Sequence, residues 1–221
     1  MSNSSETIRV YCCEDDARTR KLLTRIIEDT PDMELAGQAP AAEDVLTSLE
    51  NGANFDVLLL DLELPGMQGL ELLEHVPAPP RGAEILILTS FNDEDRVFRA
   101  MKSGAAGYLV KGVAADRLLE SIREVHAGGT VIEPRLARRF WNFFDAGKGH
   151  SPEDPFGLDE KELQVLKFLA KGLTNPEMGS VLKTGRRNIK LLLESIYKKM
   201  GVNNRVEAVV KGFKFGLLTL C

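Results

Sequence analysis

Two hydrophobic rhythms divide this chain. Up to about residue 130, short apolar runs of strand length alternate with amphipathic stretches of helical period; beyond residue 157 only the helical period remains. The runs "TIRVYCC" (7–13), "MELAGQA" (33–39), "DVLLLDL" (56–62), "AEILILTS" (83–90) and "GYLVK" (107–111) read as strands. The third and fourth are continuously apolar, as strands covered on both faces must be. Between them lie helical stretches. "DARTRKLLTRIIEDT" (16–30) places Leu22, Leu23, Ile26 and Ile27 at helical spacing, and "EDRVFRAMKSG" closes on a glycine. Five strand-then-helix units predict a doubly wound, flavodoxin-like parallel sheet.

The pattern changes after that. "RLARRFWNFFD" (135–145) reads as an extra helix whose aromatics pack on a neighbour, and "AGKGHSPEDPFG" (146–157) is a Gly/Pro-rich linker. Four helices follow: "DEKELQVLKFLAKG", a stretch over 174–183, one over 186–200 and one over 204–214. The division expected is a first domain over 1–130, a linker with an extra helix over 131–156, and a small all-α domain over 157–221.

Composition adds two points. The net charge of −5 is unevenly shared: residues 150–221 hold 12 Lys+Arg against 8 Asp+Glu, and the rest hold 16 against 25. An acidic module is therefore joined to a basic one that could sit near an anionic polymer. No apolar run approaches bilayer length and the first residues lack the features of a secretory signal, so a cytoplasmic protein without membrane association is expected. The three cysteines, Cys12, Cys13 and Cys221, form neither a disulfide framework nor a zinc pattern; two read as core thiols and one as a free thiol.

Candidate chemistry lies at the carboxyl ends of the strands, where open parallel sheets gather ligands. Strand 1 ends in Glu14 and Asp15, strand 3 in Asp61, strand 4 in Thr89 and Ser90, strand 5 in Lys111. Singly, each has a bland reading as a cap, a solvated turn or a surface cation. Together, three carboxylates at one edge repel each other unless a cation neutralises them, and an all-oxygen site suits Mg²⁺. An aspartate beside a metal, a hydroxyl and an ammonium is equipped to accept a phosphoryl group.

These residues sit in "EDD" (14–16), "LLLDLELPGMQGLELL" (58–73), "ILTSFNDED" (87–95) and "GAAGYLVKG" (104–112), and over residues 7–128 the chain resembles the receiver domain of bacterial response regulators. The resemblance implies that Asp61 accepts phosphate from a sensor histidine kinase. It implies that Glu14, Asp15, Asp61 and the backbone carbonyl of Glu63 hold Mg²⁺, that Thr89 and Lys111 bind the phosphoryl group, and that Tyr108 turns inward when Thr89 moves. The chain departs from the common pattern in its Glu-Asp acid pair and in Gly112, where many receivers have proline. A haloacid-dehalogenase-type phosphatase, which also uses a strand-end aspartate, would need a second aspartate where Glu63 stands.

Residues 157–218 resemble the LuxR-type helix-turn-helix of NarL/FixJ regulators, through "LDEKELQVLKFLAKGLTNPEMGSVL", "IK" (189–190) and "KKMGVNNRVEAV". The resemblance implies that helix 174–183 crosses the DNA backbone, helix 186–200 enters the major groove and helix 204–214 forms a homodimer contact. The groove helix departs most from the family, with Gly185, Asn188-Ile189-Lys190 and Leu192 at its marker positions. On a helical wheel Ile189, Leu193, Ile196 and Met200 share the core face. Arg187, Asn188, Lys190, Leu191, Glu194 and Lys198 face outward; with Arg186, all but Glu194 are the expected contacts to double-stranded DNA. Glu194 is tolerable there if it meets a cytosine amino group or pairs with Lys198. The expected function is a phosphorylation-gated, DNA-binding response regulator and not an enzyme. The alternative is a receiver whose output domain binds protein, or one that works without phosphorylation.

Overall fold

A computed structural model of the chain describes residues 7–77, 82–90, 94–131 and 155–218; for Glu94, Asp95 and Arg186 it describes the backbone alone. The extra helix expected over 135–145, most of the expected linker and Cys221 lie outside the described residues.

The first unit is a five-stranded parallel sheet, β1 Ile8–Cys13, β2 Met33–Ala39, β3 Val57–Leu60, β4 Glu84–Thr89 and β5 Gly107–Val110, in the order β2-β1-β3-β4-β5. Side chains alternate between its faces, as strand geometry requires. In β3, Val57 and Leu59 pack with α1 (Ala17–Glu28) and α5 (Ala115–His126). Leu58 and Leu60 pack with α2 (Ala42–Glu50), α3 (Gly69–His75) and α4 (Glu94–Lys102) on the other face. Cys12 and Cys13 are buried within these two layers, and burial pushes both thiols up to about 12, so both act as apolar filler. Val131, bridged to Gly107 beyond β5, is buried in the same core.

The strand order reverses between β1 and β3. This switch point opens a crevice at their carboxyl ends. Two close approaches shape it. Gly69 begins α3 so near the chain that a Cβ would stand 2.3 Å from the Asp61 carbonyl. Glu43 on α2 accepts the Met67 amide at 2.8 Å and so fixes the loop between β3 and α3.

The second unit has four helices, α6 Glu160–Ala170, α7 Asn175–Val181, α8 Arg186–Met200 and α9 Arg205–Lys214, around one apolar core that includes Leu166, Met178, Ile189, Ile196 and Ala208. Its ends are well specified. Asp159 and Glu162 form a reciprocal capping box on α6, Thr174 and Glu177 another on α7, and Gly201 ends α8 in the left-handed region at φ 58°. Glu162, itself buried, also accepts from Ser195 Oγ at 2.6 Å and Lys199 Nζ at 2.6 Å, tying α6 to α8.

Candidate functional site

The crevice collects the expected acids. Glu14 and Asp15 follow β1 and Asp61 follows β3, and a carboxylate oxygen of each lies within 4.8 Å of those of the others. Glu14 and Asp61 are buried, at 1% and 3% exposure, while Asp15 is exposed. Hydrogen bonds from backbone to backbone place them: the Glu14 amide donates to Ala39 of β2 at 3.0 Å and the Asp61 amide to Cys13 of β1 at 3.0 Å.

Lys111 reaches in from the end of β5, where its amide is held by the Thr89 carbonyl at 2.8 Å. Its Nζ lies 2.8 Å from Asp61 Oδ2 and 2.7 Å from Glu14 Oε2. Burial alone would depress the ammonium; its bonds to Asp61 and Glu14 prevail and raise it, so it stays charged. Burial raises the Glu14 carboxyl, against the pull of Lys111. Asp61 Oδ1 accepts the Glu63 amide at 3.1 Å. Thr89, 1% exposed at the end of β4, keeps a buried hydroxyl with no hydrogen-bond partner among the described residues. A buried hydroxyl without a partner is costly, and its neighbourhood is where an incoming oxygen-rich group would satisfy it. Tyr108 is already buried, at 2% exposure.

Two basic residues join this site unannounced by the sequence pattern. Arg20 of α1 donates from Nη1 to the carbonyl oxygens of Glu14 at 2.6 Å and Asp15 at 3.1 Å. Arg96 of α4 lies 3.7 Å from the Glu63 carboxylate and donates to Gln68 Oε1 at 3.3 Å, joining α4 to the loop after Asp61. Neither stands in a sequence motif, since a carbonyl-directed bond leaves none.

The second candidate surface is α8. Ile189, Leu193, Ile196 and Met200 are buried, as the wheel requires, and Leu191 is 53% exposed beside exposed Arg187, Asn188 and Lys198. Gly185 is the N-cap residue of α8; Thr184 instead accepts a bond from Asn188 Nδ2 at 2.9 Å. Lys190 is set apart from the exposed group. With Leu193 and Tyr197 it lines a cleft of about 840 Å³ whose far wall is the amino-terminal edge of the receiver-like sheet, including Arg9, Asp56 and Glu84.

Contacts among the described residues join the two units at this cleft. The Asn175 amide at the start of α7 donates to the Ala127 carbonyl after α5 at 2.9 Å. Asn204, which caps α9 by accepting from Glu207, also donates from Nδ2 to the Lys102 carbonyl at 3.4 Å. Val206 of α9 packs against the receiver-like core. Glu84, the first residue of β4, faces Arg205 and Lys190; burial pushes its carboxyl up to about 7 although the two cations pull it down. The first turn of α9, expected to serve a dimer, thus lies against the chain's own first unit.

The comparisons with known proteins divide the chain in the same way. The profile described as the response regulator receiver domain matches residues 10–123, and that of bacterial regulatory proteins of the luxR family matches residues 157–211. The transcriptional regulatory protein LiaR of Bacillus subtilis is 31% identical over 205 residues, 92% of this chain and 95% of that protein. The nitrate/nitrite response regulator protein NarP of Escherichia coli is 33% identical over 205 residues, 91% of this chain and 93% of that protein. Among solved structures, the response regulator ChrA of a heme-sensing two-component system superposes with a TM-score of 0.50 at 26% identity, covering 96% of this chain and 100% of that one. RcsB in a DNA complex shares the fold, with a TM-score of 0.54 at 19% identity, covering 94% of this chain and 98% of that one.

Proposed function

Since the chain belongs to the response regulators, with a receiver domain joined to a luxR-type DNA-binding domain, we propose that it accepts a phosphoryl group on Asp61 from a sensor histidine kinase and thereby controls the access of α8 to double-stranded DNA. One observation carries this reading: Asp61 lies under the Lys111 ammonium at 2.8 Å, in an acidic crevice that also holds a buried Thr89 hydroxyl without a hydrogen-bond partner among the described residues.

The donor set fits Mg²⁺. It is all oxygen, two of its three carboxylates are buried, and the third faces solvent, from which a hydrated ion would enter. Glu14, Asp15, Asp61 and the Glu63 carbonyl would hold it. When bound, it supplies charge neutralisation between the phosphoryl oxygens and the acids. The rest falls to the chain's own groups. An Asp61 carboxylate oxygen attacks the phosphorus of the kinase's phosphohistidine, so that an acyl-phosphate P–O bond forms as the P–N bond breaks and the imidazole departs. Lys111 transfers its bond from Asp61 to a phosphoryl oxygen, and the Thr89 hydroxyl donates to another. Small phosphodonors can replace the kinase in this step, because the nucleophile and its stabilising groups all belong to this chain.

The output end supports gating by exposure. Lys190 is half-buried and lines the cleft between α8 and the sheet edge, while Arg187, Asn188, Leu191 and Lys198 are open to solvent. Helix α4 starts beyond Thr89 at the phosphorylation end of the sheet and finishes at Lys102, whose carbonyl meets Asn204. A shift of α4 on phosphorylation would act on that contact and bias the two domains toward separation. Separation would also free the first turn of α9 for a second copy, making a homodimer the DNA-bound form. None of the described helices is long and apolar enough to cross a membrane, and with the DNA-directed output this supports a cytoplasmic site of action.

The test has two arms. Mg²⁺-dependent labelling of the full chain by a small phosphodonor should modify Asp61 and vanish in Asp61→Asn. Selection from a random duplex library should then enrich a motif that Lys190→Ala or Arg187→Ala weakens, with affinity falling as salt rises. Labelling without selective DNA binding would point to a protein partner as the output.

A further inference from the structure

We infer that Arg20 is a positioning residue for the metal-binding acids, fixing the peptide planes from which Glu14 and Asp15 project. The inference rests on the reading of Glu14, Asp15 and Asp61 as a Mg²⁺ cluster.

A single guanidinium nitrogen, Arg20 Nη1, lies 2.6 Å from the Glu14 carbonyl and 3.1 Å from the Asp15 carbonyl. Turning two successive carbonyls toward one donor fixes the intervening peptide plane, and with it the directions of both side chains. The two residues need this to different degrees. Glu14 is held elsewhere too: its amide by Ala39, its carboxylate by Lys111 and the Asp16 amide. Asp15 is exposed, and its carbonyl bond to Arg20 anchors its peptide. Asp15 therefore depends most on the clamp.

Local helix stability does not account for Arg20. It is the fourth residue of α1, in a first turn that contains no acid, and a cation there sits at the unfavourable end of the helix dipole. The cap of α1 is already made by Asp16, which accepts the Thr19 amide at 2.7 Å. The position is explained by the carbonyls it reaches.

The two physical roles open to Arg20 have opposite signs. As a bare positive charge it would repel Mg²⁺, and removing it would tighten binding. As a clamp it preorganises the acids, and removing it weakens binding. Charge-assisted hydrogen bonds are strong enough for the second to dominate.

The test is calorimetric titration of Mg²⁺ into the full chain, comparing wild type with Arg20→Met, Arg20→Lys and Asp15→Asn. Arg20→Met is expected to weaken binding about tenfold, equivalent to about 1.4 kcal/mol. Arg20→Lys, which keeps the charge on a shorter reach, should recover part of the loss. The Arg20→Met protein should keep a cooperative thermal transition close to that of wild type, which general unfolding would not allow. Unchanged or tighter Mg²⁺ binding by Arg20→Met, with a wild type that binds and an Asp15→Asn that does not, overturns the inference alone. A wild type without saturable binding overturns the cluster reading and the inference with it.

Discussion

The Asn175 side chain lies across Gly128, so close that a Cβ on the glycine would stand 2.3 Å from Asn175 Nδ2 and 2.5 Å from its Cγ. The Asn175 amide meanwhile bonds the neighbouring Ala127 carbonyl. A backbone seam thus joins the end of the receiver to the start of α7 in the DNA-binding domain, and it requires glycine both for space and for φ 77°.

Gly128→Ala should therefore open the chain. Its radius of gyration by X-ray scattering should rise, and unphosphorylated protein should bind DNA more tightly. Asn175→Ala in the same chain removes all three clashing atoms and should restore compactness, although strain of about 1 kcal/mol at residue 128 persists. Equal compactness of wild type and Gly128→Ala would remove the seam from the account.

Closure should also depend on pH through Glu84. Its carboxyl is raised in the closed form, to about 7 from an ordinary 4.5, by burial against the cleft. The closed form therefore binds the proton more tightly than an open one. The resulting stabilisation is complete below pH 4.5 and is lost as pH rises to about 7. Scattering across that window should show opening with rising pH, and Glu84→Gln should flatten the profile; His126, which also lines the cleft, is left intact as an internal control. An unchanged profile in Glu84→Gln would assign the dependence elsewhere.

Lys111 bridges two buried carboxylates at once. Lys111→Met should lower the stability of the metal-free receiver by about 3 kcal/mol, the usual cost of stranding a buried charge. Added Mg²⁺ should raise the thermal midpoint of this variant more than that of wild type, because the ion takes over the missing positive charge. Equal shifts would indicate that the ion and the lysine do not share the acids.

The second domain should be sensitive to Glu162. Glu162→Ala removes the acceptor for Ser195, Lys199 and the Asp159 amide and should cost about 2 kcal/mol in denaturant unfolding. Nothing in "DEKELQVL" marks Glu162 as buried; its burial follows from the box it forms with Asp159 and from its bonds to Ser195 and Lys199.

Much of the receiver was legible because a parallel strand's end is marked by where its apolar run stops. Asp61, Thr89 and Lys111 could be placed that way, and the wheel separated buried Ile189 from exposed Leu191. The contacts that remained hidden depend on packing between segments far apart in sequence. Arg20 acts on backbone carbonyls, which carry no side-chain signature. Glu84 lies within the run "AEILILTS" without a motif of its own, and Lys190 shared the outward face of its helix with Arg187. Only the docking of one domain on the other encloses the first with the second.

The central claim is that phosphorylation of Asp61 frees α8 from the sheet edge. Its most direct test is the affinity of the full chain for a selected duplex, at fixed salt, before and after treatment with Mg²⁺ and a small phosphodonor, in wild type and Asp61→Asn. The account predicts a marked gain for wild type, none for Asp61→Asn, and a parallel expansion by scattering. Equal affinity before and after stoichiometric labelling of Asp61 would contradict it.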